Sequence, residues 1–348
     1  MKELLELMIK DMDSSDELFK PTNFWTQGIK NILNDLKSDK DFSNFRNHKS
    51  AVAMYVPVYE HGLYKKHRKY IDRIFGVRYN NEPKPEVEGI FGTLSGYNLA
   101  KSDYRVFRGT DTDIHPKVSN VSESKVGNPV DYYCFESKFY SRSFLNYLMG
   151  INFLKRCVDT QKVKSVFEIG GGYGTLGEII LKSDQDAFYL NVDIPPVSAV
   201  STFYLSQVFG EKNILSYTES RDLDIIDIDE IKKKYKAAVL CPWQLPKLEG
   251  KFELFVNFMS FQEMEPHIVK NYVSIAEKHT NSYVLTRNSR SGKKTASNNK
   301  SIGVINPLKT DSLYEMFENF SLVKKDYLVF GQYAKSFQSE VACLKRNL

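Results

Sequence analysis

The spacing of apolar residues differs before and after residue 160. In the front part, apolar residues recur at helical spacing at 4–9 and again at 29–36, with Pro21 between the two segments. Residues 76–130 are rich in Gly and Pro, which predicts loops with short elements. Residues 131–158 return to an apolar pattern typical of a helix. We therefore predict a largely helical, partly loop-rich region over 1–160.

After Lys162, short apolar runs alternate with helical segments. The alternation predicts a mainly parallel sheet with helices on both faces. The last two apolar runs, 321–330 and 339–346, have no helical pattern between them, so we expect an antiparallel hairpin that closes the sheet. The expected fold is α/β and Rossmann-like over 161–348. The predicted strands are 164–170, 187–194, 237–241, 253–261 and 282–287, and the predicted helices are 175–182, 197–210 and one that begins at Pro266.

Composition and charge exclude several classes of protein. The net charge of +5 over 348 residues is too small to indicate a nucleic-acid-binding protein. The 4 cysteines form no C-x-x-C motif and the 6 histidines form no H-x-x-x-H pair, so we predict no metal site. No apolar run approaches the ~18 residues that a membrane span needs, and the N-terminus does not fit a signal peptide. We expect a cytoplasmic protein, and nothing in the sequence predicts its oligomeric state.

A glycine-rich loop lies between the first predicted strand and helix of the second region, Glu168-Ile-Gly-Gly-Gly-Tyr-Gly174. Glycines allow a sharp turn and a close approach to a ligand. Asp193 ends the next strand, where a carboxylate can accept hydrogen bonds from a ribose diol. Two cofactors fit this geometry: a dinucleotide, whose G-x-G-x-x-G fingerprint Gly172-x-Gly174-x-x-Gly177 matches, and S-adenosylmethionine. A glycine turn that binds nothing is the third interpretation.

The E-x-G-x-G-x-G segment resembles motif I of class I methyltransferases, and the terminal hairpin resembles the end of that fold, whose last strand is antiparallel. More narrowly, FEIGGGYGTLGEII, NVDIPPVSAVSTFYLSQVFG and FVNFMSFQEM, with PTNFWTQGIKNIL and GNP nearer the N-terminus, resemble the sugar O-methyltransferase family of bacterial surface-polysaccharide loci. The resemblance implies an S-adenosylmethionine-dependent enzyme that methylates a hydroxyl of a sugar or nucleotide sugar. The alternatives are a methyltransferase for a small aromatic or natural-product hydroxyl, a NAD-dependent sugar-modifying enzyme and a non-catalytic binding module.

The same resemblance implies roles for individual residues around the cofactor. Asp193 would bind the ribose, Trp243 and Gln244 would meet the adenine, and Asn257 would lie beside the cofactor at the end of the fourth strand. Trp243 is equally compatible with ordinary core packing. The methionine part of the cofactor would be held by the glycine loop through Glu168, Gly170, Gly172, Tyr173 and Gly174.

Methyl transfer to a sugar hydroxyl needs a group that removes the hydroxyl proton. The segment after the fourth strand offers Glu263 as the first choice and His267 as the second, with Gln262 as a contact for a sugar hydroxyl. Glu263 could instead be a helix-start carboxylate, and His267 a solvated first-turn residue. Magnesium would require Glu263, Glu265 and Asp193 to converge, and we predict no metal.

Acceptor-binding residues are expected in two places. The aromatic stretch around 132–142 includes Tyr132 and Arg142, which suit a sugar ring and an anionic group, although it could simply pack on the sheet region. The polar, basic segment 288–303 follows the fifth strand. We interpret it as a lid whose cations meet a phosphorylated acceptor, or else as a solvated connector. Its cations are Arg290, Lys293, Lys294 and Lys300.

Overall fold

The computed structural model of the protein describes residues 1–60, 62–75, 88–293, 295, 303–327 and 338–347. Its strands are β1 (Tyr133–Phe135), β2 (Lys138–Tyr140), β3 (Ser165–Ile169), β4 (Phe188–Val192), β5 (Ile214–Leu215), β6 (Ile226–Asp227), β7 (Ala237–Leu240), β8 (Leu248–Glu249), β9 (Phe252–Phe258), β10 (Thr280–Ser289), β11 (Phe320–Asp326) and β12 (Ser339–Arg346). Its α-helices are α1 (Lys2–Asp13), α2 (Asn23–Asp35), α3 (Asp39–Phe42), α4 (Lys49–Met54), α5 (Gly62–Phe75), α6 (Glu88–Leu94), α7 (Tyr97–Thr110), α8 (Arg142–Cys157), α9 (Thr175–Ser183), α10 (Val197–Phe209), α11 (Tyr217–Ser220), α12 (Ile228–Lys234), α13 (Pro266–His279) and α14 (Thr310–Glu315).

The central sheet has eight strands in the described part of the chain, in the order β11-β12-β10-β9-β3-β4-β7-β5. From β10 to β5 neighbouring strands are parallel. Strand β12 is antiparallel to both β10 and β11, between which it lies. The prediction of a Rossmann-like, mostly parallel sheet with an antiparallel last strand is confirmed. The predicted closing hairpin is present, and its second strand, not its first, contacts the rest of the sheet.

The buried strands explain why the second region folds as the apolar pattern predicts. Every residue of β3, β4 and β7 is buried, as expected for strands with helices on both faces. Successive side chains of a strand point to opposite faces, so Val166 and Phe167 enter two different apolar clusters. Helix α10 ends at Gly210, whose φ of 90° is unfavourable for other residues, and α13 begins at Pro266.

Two predictions in the front region are wrong. Residues 133–140 form the hairpin β1–β2, and the helix begins only at Arg142, where the Ser141 hydroxyl accepts a hydrogen bond from the Phe144 amide. The turn of this hairpin uses Glu136 and Ser137 with positive φ, a conformation in which hairpin turns usually have Gly, Asn or Asp. The stretch predicted to be loop-rich contains the 14-residue helix α7.

The front region packs directly on the sheet region. One apolar cluster contains residues of both, including Met8 and Phe45 of the front region together with Leu254. Within the front region, Arg46 Nη2 lies 2.5 Å from the Glu123 carboxylate, and the Arg46 guanidinium also lies 5.1 Å from the centre of the Tyr173 ring of the sheet region. The boundary near residue 160 stays a prediction, because the two regions share one core. Within the described residues, no helix has the length and apolar character needed to cross a membrane.

Candidate active site

A cavity of about 310 Å³ lies at the carboxyl ends of β3, β4, β9 and β10. In an open α/β sheet this edge is the usual place for a ligand. Ile169, Val192, Phe258 and Arg287 bring the four strands to the cavity wall. The opposite wall comes from the front region, from residues 20–25 and 52–57. The front region, called the cap below, thus forms one wall of the cavity.

The glycine loop lines this cavity with a backbone that requires glycine. Gly172 has a φ of 59°, in the left-handed region that favours glycine. A Cβ on Gly172 would meet open space, since the nearest atom outside the loop is the Tyr55 carbonyl oxygen at 4.0 Å. At Gly170 a Cβ would overlap the Ser260 side chain. Gly172 therefore leaves room on the cavity side, whereas Gly170 permits close packing behind the loop.

Asp193 follows β4 and presents a buried carboxylate to the cavity. Its two oxygens accept hydrogen bonds from the amides of Gly172, at 2.9 Å, and Ile194, at 2.8 Å. Burial raises the pKa of Asp193 to about 8, although both amide hydrogen bonds act in the opposite direction. The carboxylate still has lone pairs for the hydroxyls of a ligand. Its position next to the glycine loop agrees with the role expected from the sequence.

Glu168 lies behind the glycine loop, outside the cavity wall. Its carboxylate accepts hydrogen bonds from the hydroxyls of Tyr147, at 2.7 Å, and Tyr189, at 2.5 Å. Burial raises the pKa of Glu168 to about 7, while these two hydrogen bonds act to lower it. Tyr147 itself lines the cavity, so in this geometry Glu168 positions Tyr147 and the loop.

The segment after β9 contains a strained residue next to the glycine loop. Met259 lines the cavity with a φ of 66°, unusual for a residue with a side chain. The Asn257 amide donates to the Ile169 carbonyl at 2.9 Å and to the Ser260 hydroxyl at 2.6 Å. Asn257 is fully buried, and it joins the end of β9 to the end of β3. These contacts fix the turn that carries Glu263 towards the cavity.

Glu263 is buried at the cavity wall and forms an ion pair with Lys293 at 2.7 Å. Burial raises the pKa of Glu263, whereas the charge of Lys293 and hydrogen bonds from Lys293 and Trp25 lower it. The Lys293 ammonium also lies 4.7 Å from the centre of the Phe24 ring. Lys293 thus joins the segment after β10 to the base candidate and to the cap.

The adenine candidates lie beside the cavity, and their polar groups bond within the protein. Trp243 Nε1 donates to the Tyr217 hydroxyl at 3.0 Å. Gln244 is buried, accepting from the Cys241 amide at 2.9 Å and donating to the Ser220 hydroxyl at 3.0 Å. Pro242, directly before them, lines the cavity.

The acceptor candidates are spread over the molecule. The Tyr132 hydroxyl donates to the Glu123 carbonyl, at 2.9 Å, inside the front region. Arg142 donates to the Val58 carbonyl at 2.8 Å. Gln262 is buried beside the end of β10, and its Oε1 accepts from the Ser289 amide at 2.6 Å. Arg290 lies 3.5 Å from the Glu340 carboxylate.

Of the remaining site candidates, some line the cavity and others do not. His267 is exposed in the first turn of α13, and Gly174 directly precedes α9. Tyr173 lines the cavity with the glycine loop. Lys294 and Lys300 of the expected lid lie outside the described residues. No three Asp, Glu, His or Cys side chains of the described chain converge as metal ligands.

Several cavity residues were not singled out from the sequence. Trp25 and Tyr55 come from the front region, Tyr147 from α8 and Arg287 from β10. Trp25 belongs to the PTNFW segment that carried the family resemblance, which was the one available signal. Tyr55, Tyr147 and Arg287 reach the cavity through contacts between segments that are distant in the sequence.

Comparison with known proteins finds remote structural likenesses only. No protein-family model and no curated protein sequence matches the chain. Mitomycin 7-O-methyltransferase is 9% identical with a TM-score of 0.37, covering 74% of this chain and 70% of its own. The magnesium protoporphyrin IX methyltransferase of Synechocystis PCC 6803 with bound S-adenosylmethionine is 9% identical with a TM-score of 0.37, covering 78% and 100%. A glycopeptide N-methyltransferase with S-adenosylmethionine is 10% identical with a TM-score of 0.38, covering 57% and 92%. Likenesses this remote do not identify the function of this chain.

Proposed function

We propose that the protein is an S-adenosylmethionine-dependent O-methyltransferase that acts on a sugar hydroxyl. The observation that carries the proposal is the joint placement of Gly172 and Asp193 on one cavity, at the ends of the adjacent strands β3 and β4. The open space at Gly172 and the carboxylate of Asp193 fit a nucleoside with a free ribose diol. The antiparallel β12 supports this cofactor over a dinucleotide, because a dinucleotide-binding sheet would more often continue with parallel strands.

Different residues along this edge of the sheet would bind the cofactor, accept the proton and exclude water. The glycine loop and Asp193 would hold the cofactor, which supplies an electrophilic methyl group on a sulfonium. Glu263, one strand further along, would accept the proton of the acceptor hydroxyl. Trp25 and Tyr55 from the cap would exclude water from the cavity.

The sugar specificity rests on the family resemblance and is supported by the aromatic residues of the cavity wall, such as Trp25, Tyr147 and Tyr272. The test is transfer of a radiolabelled methyl group from S-adenosylmethionine to two acceptor panels, nucleotide sugars and phenols. Transfer to a sugar is the expected result. Transfer to phenols alone would replace the sugar by an aromatic acceptor and leave the methyltransferase proposal in place.

The affinity for S-adenosylhomocysteine should rise with pH up to about 8. Ribose hydroxyls donate to an ionised carboxylate, and burial raises the pKa of free Asp193 to about 8, so binding below that pH must also release a proton. We expect the affinity of the wild type, divided by that of Asp193→Asn, to increase from pH 6 to pH 8 and then to level off. Calorimetry over this range measures it. A ratio that does not change with pH would mean that Asp193 does not bind the ligand as a carboxylate.

Replacement of Lys293 should move the pH dependence of catalysis. The Lys293 charge counteracts the burial of Glu263, so Lys293→Met should raise the pKa of Glu263 further. A base must be ionised to act, and the acidic limb of the kcat/KM profile should move up by about one to three pH units. Lys293→Arg keeps the charge and serves as the control. If the acidic limb does not move in Lys293→Met, the ion pair between Lys293 and Glu263 does not set the pKa of the catalytic base.

A further inference from the structure

Arg287 is a cavity-lining cation with no role in the chemistry described above. It lies near the carboxyl end of β10, opposite Phe258 of β9 in the strand register, and only 6% of it is exposed. Leu285, two residues earlier, belongs to the apolar cluster shared with the front region. Because alternate residues of a strand point to the same face, Arg287 also points to the face that the cap covers.

Charged groups of both signs lie around Arg287. Its Nε donates to the Ser339 hydroxyl at 2.8 Å. Burial, and then the charge of Arg142, lower the pKa of Arg287 to about 10, although Asp103 and the hydroxyls of Tyr59 and Tyr147 act to raise it. A buried guanidinium at a cavity wall can bind the anion of a ligand that enters the cavity. The cavity is the side from which a ligand can bring that anion.

The order of the strands places Arg287 on the acceptor side of the site. Strands β4, β3, β9 and β10 are neighbours in that order. Asp193, the glycine loop and Glu263 follow the first three strands, and Arg287 lies near the carboxyl end of β10. Strands are about 4.8 Å apart, so β10 lies about 10 Å from β3. A cofactor held at β3 and β4 leaves the part of the cavity next to β9 and β10 for the acceptor, with Glu263 between the two.

We propose that Arg287 binds an oxyanion of the acceptor, so that the enzyme methylates an acidic sugar, either a sugar acid or a sugar phosphate. The inference rests on the proposed function and adds the charge of its substrate. The guanidinium forms a planar fork of N–H donors that fits the oxygens of a carboxylate or a phosphate. An acceptor fixed by its anion at β10 can present a neighbouring hydroxyl to Glu263.

The test is calorimetry on the full-length protein saturated with S-adenosylhomocysteine, with glucose, glucuronate and glucose 6-phosphate as probes of one ring type. The wild type should bind at least one anionic probe at least about tenfold more tightly than glucose. Arg287→Met should remove this preference and leave glucose binding unchanged. Arg287→Lys keeps the charge but loses the planar fork of donors. Its preference for an anionic probe over glucose should lie between those of the wild type and Arg287→Met. The two anionic probes separate a carboxylate from a phosphate.

The matched control is Arg156→Met, which replaces an exposed arginine in the last turn of α8. This variant should keep the preference for an anionic probe over glucose. A wild type that does not prefer an anionic probe would overturn the inference. So would an Arg287→Met variant that loses affinity for S-adenosylhomocysteine, because Arg287 would then belong to the cofactor site. If the wild type does not bind S-adenosylhomocysteine, the proposed function fails before the acceptor is tested. If Arg287→Met does not fold, the comparison of the wild type with Arg287→Lys decides.

Discussion

Gly172→Val should abolish binding of S-adenosylhomocysteine. The residue lines the cavity with a φ of 59°, and its missing Cβ faces open space, so a valine side chain would enter the volume that the ligand needs. A β-branched residue is also strained in this conformation. We expect the affinity measured by calorimetry to fall by more than about 100-fold, which corresponds to about 2.7 kcal/mol.

The control for backbone strain is Gly210→Val. Gly210 also has a positive φ, 90°, at the end of α10, and a Cβ there would lie 3.6 Å from the Asn213 side chain. This variant should lose thermal stability but keep its affinity for S-adenosylhomocysteine. Unchanged affinity in Gly172→Val would show that the glycine loop does not contact the cofactor. Equal losses of affinity in the two variants would show that strain, and not the occupied space, is the cause.

Glu263→Gln should reduce turnover by about 10²–10⁴ while cofactor binding stays intact. The change keeps the size of the side chain and removes the proton acceptor. Glu263 is buried at the cavity wall and paired with Lys293, which favours the ionised form that a base requires. Single-turnover kinetics with an acceptor that the wild type methylates, together with calorimetry for the cofactor, would separate the two effects.

His267→Gln should have a much smaller effect, because His267 is exposed in the first turn of α13. If His267→Gln has the larger effect on turnover, the base is His267. If turnover falls in neither variant, the base belongs to another part of the cavity wall. A Glu263→Gln variant that loses the cofactor would mark Glu263 as a structural residue, with its Lys293 ion pair holding the cavity wall.

The sequence was most informative where local chemistry determines the structure. The apolar runs after Lys162 become strands and helices close to their predicted bounds, because buried parallel strands consist of little else than apolar residues. The glycine loop and Asp193 could be recognised because turn geometry and strand ends depend on adjacent residues. The hairpin β1–β2 could not, since aromatic residues suit a strand and a buried helix alike and its turn contains no glycine.

The parts of the site that arise from long-range contacts could not be predicted. Glu168 has the spacing of a cofactor ligand, yet two tyrosine hydroxyls from α8 and β4 engage its carboxylate. Lys293 was expected to meet the acceptor from a lid, and its ion pair with Glu263 had no signal in the sequence. Arg287 looks like any polar residue at the end of a strand, and only the packing of the front region shows that it is buried.

Binding of S-adenosylhomocysteine to the wild-type protein tests the central claim most directly. Calorimetry should show one molecule bound per chain, with the affinity lost in Gly172→Val and reduced in Asp193→Ala by about 1.5–3 kcal/mol. Titration with NAD⁺ under the same conditions should give no binding. An absence of heat with S-adenosylhomocysteine, or binding of NAD⁺ in its place at the same glycine loop, would contradict the account.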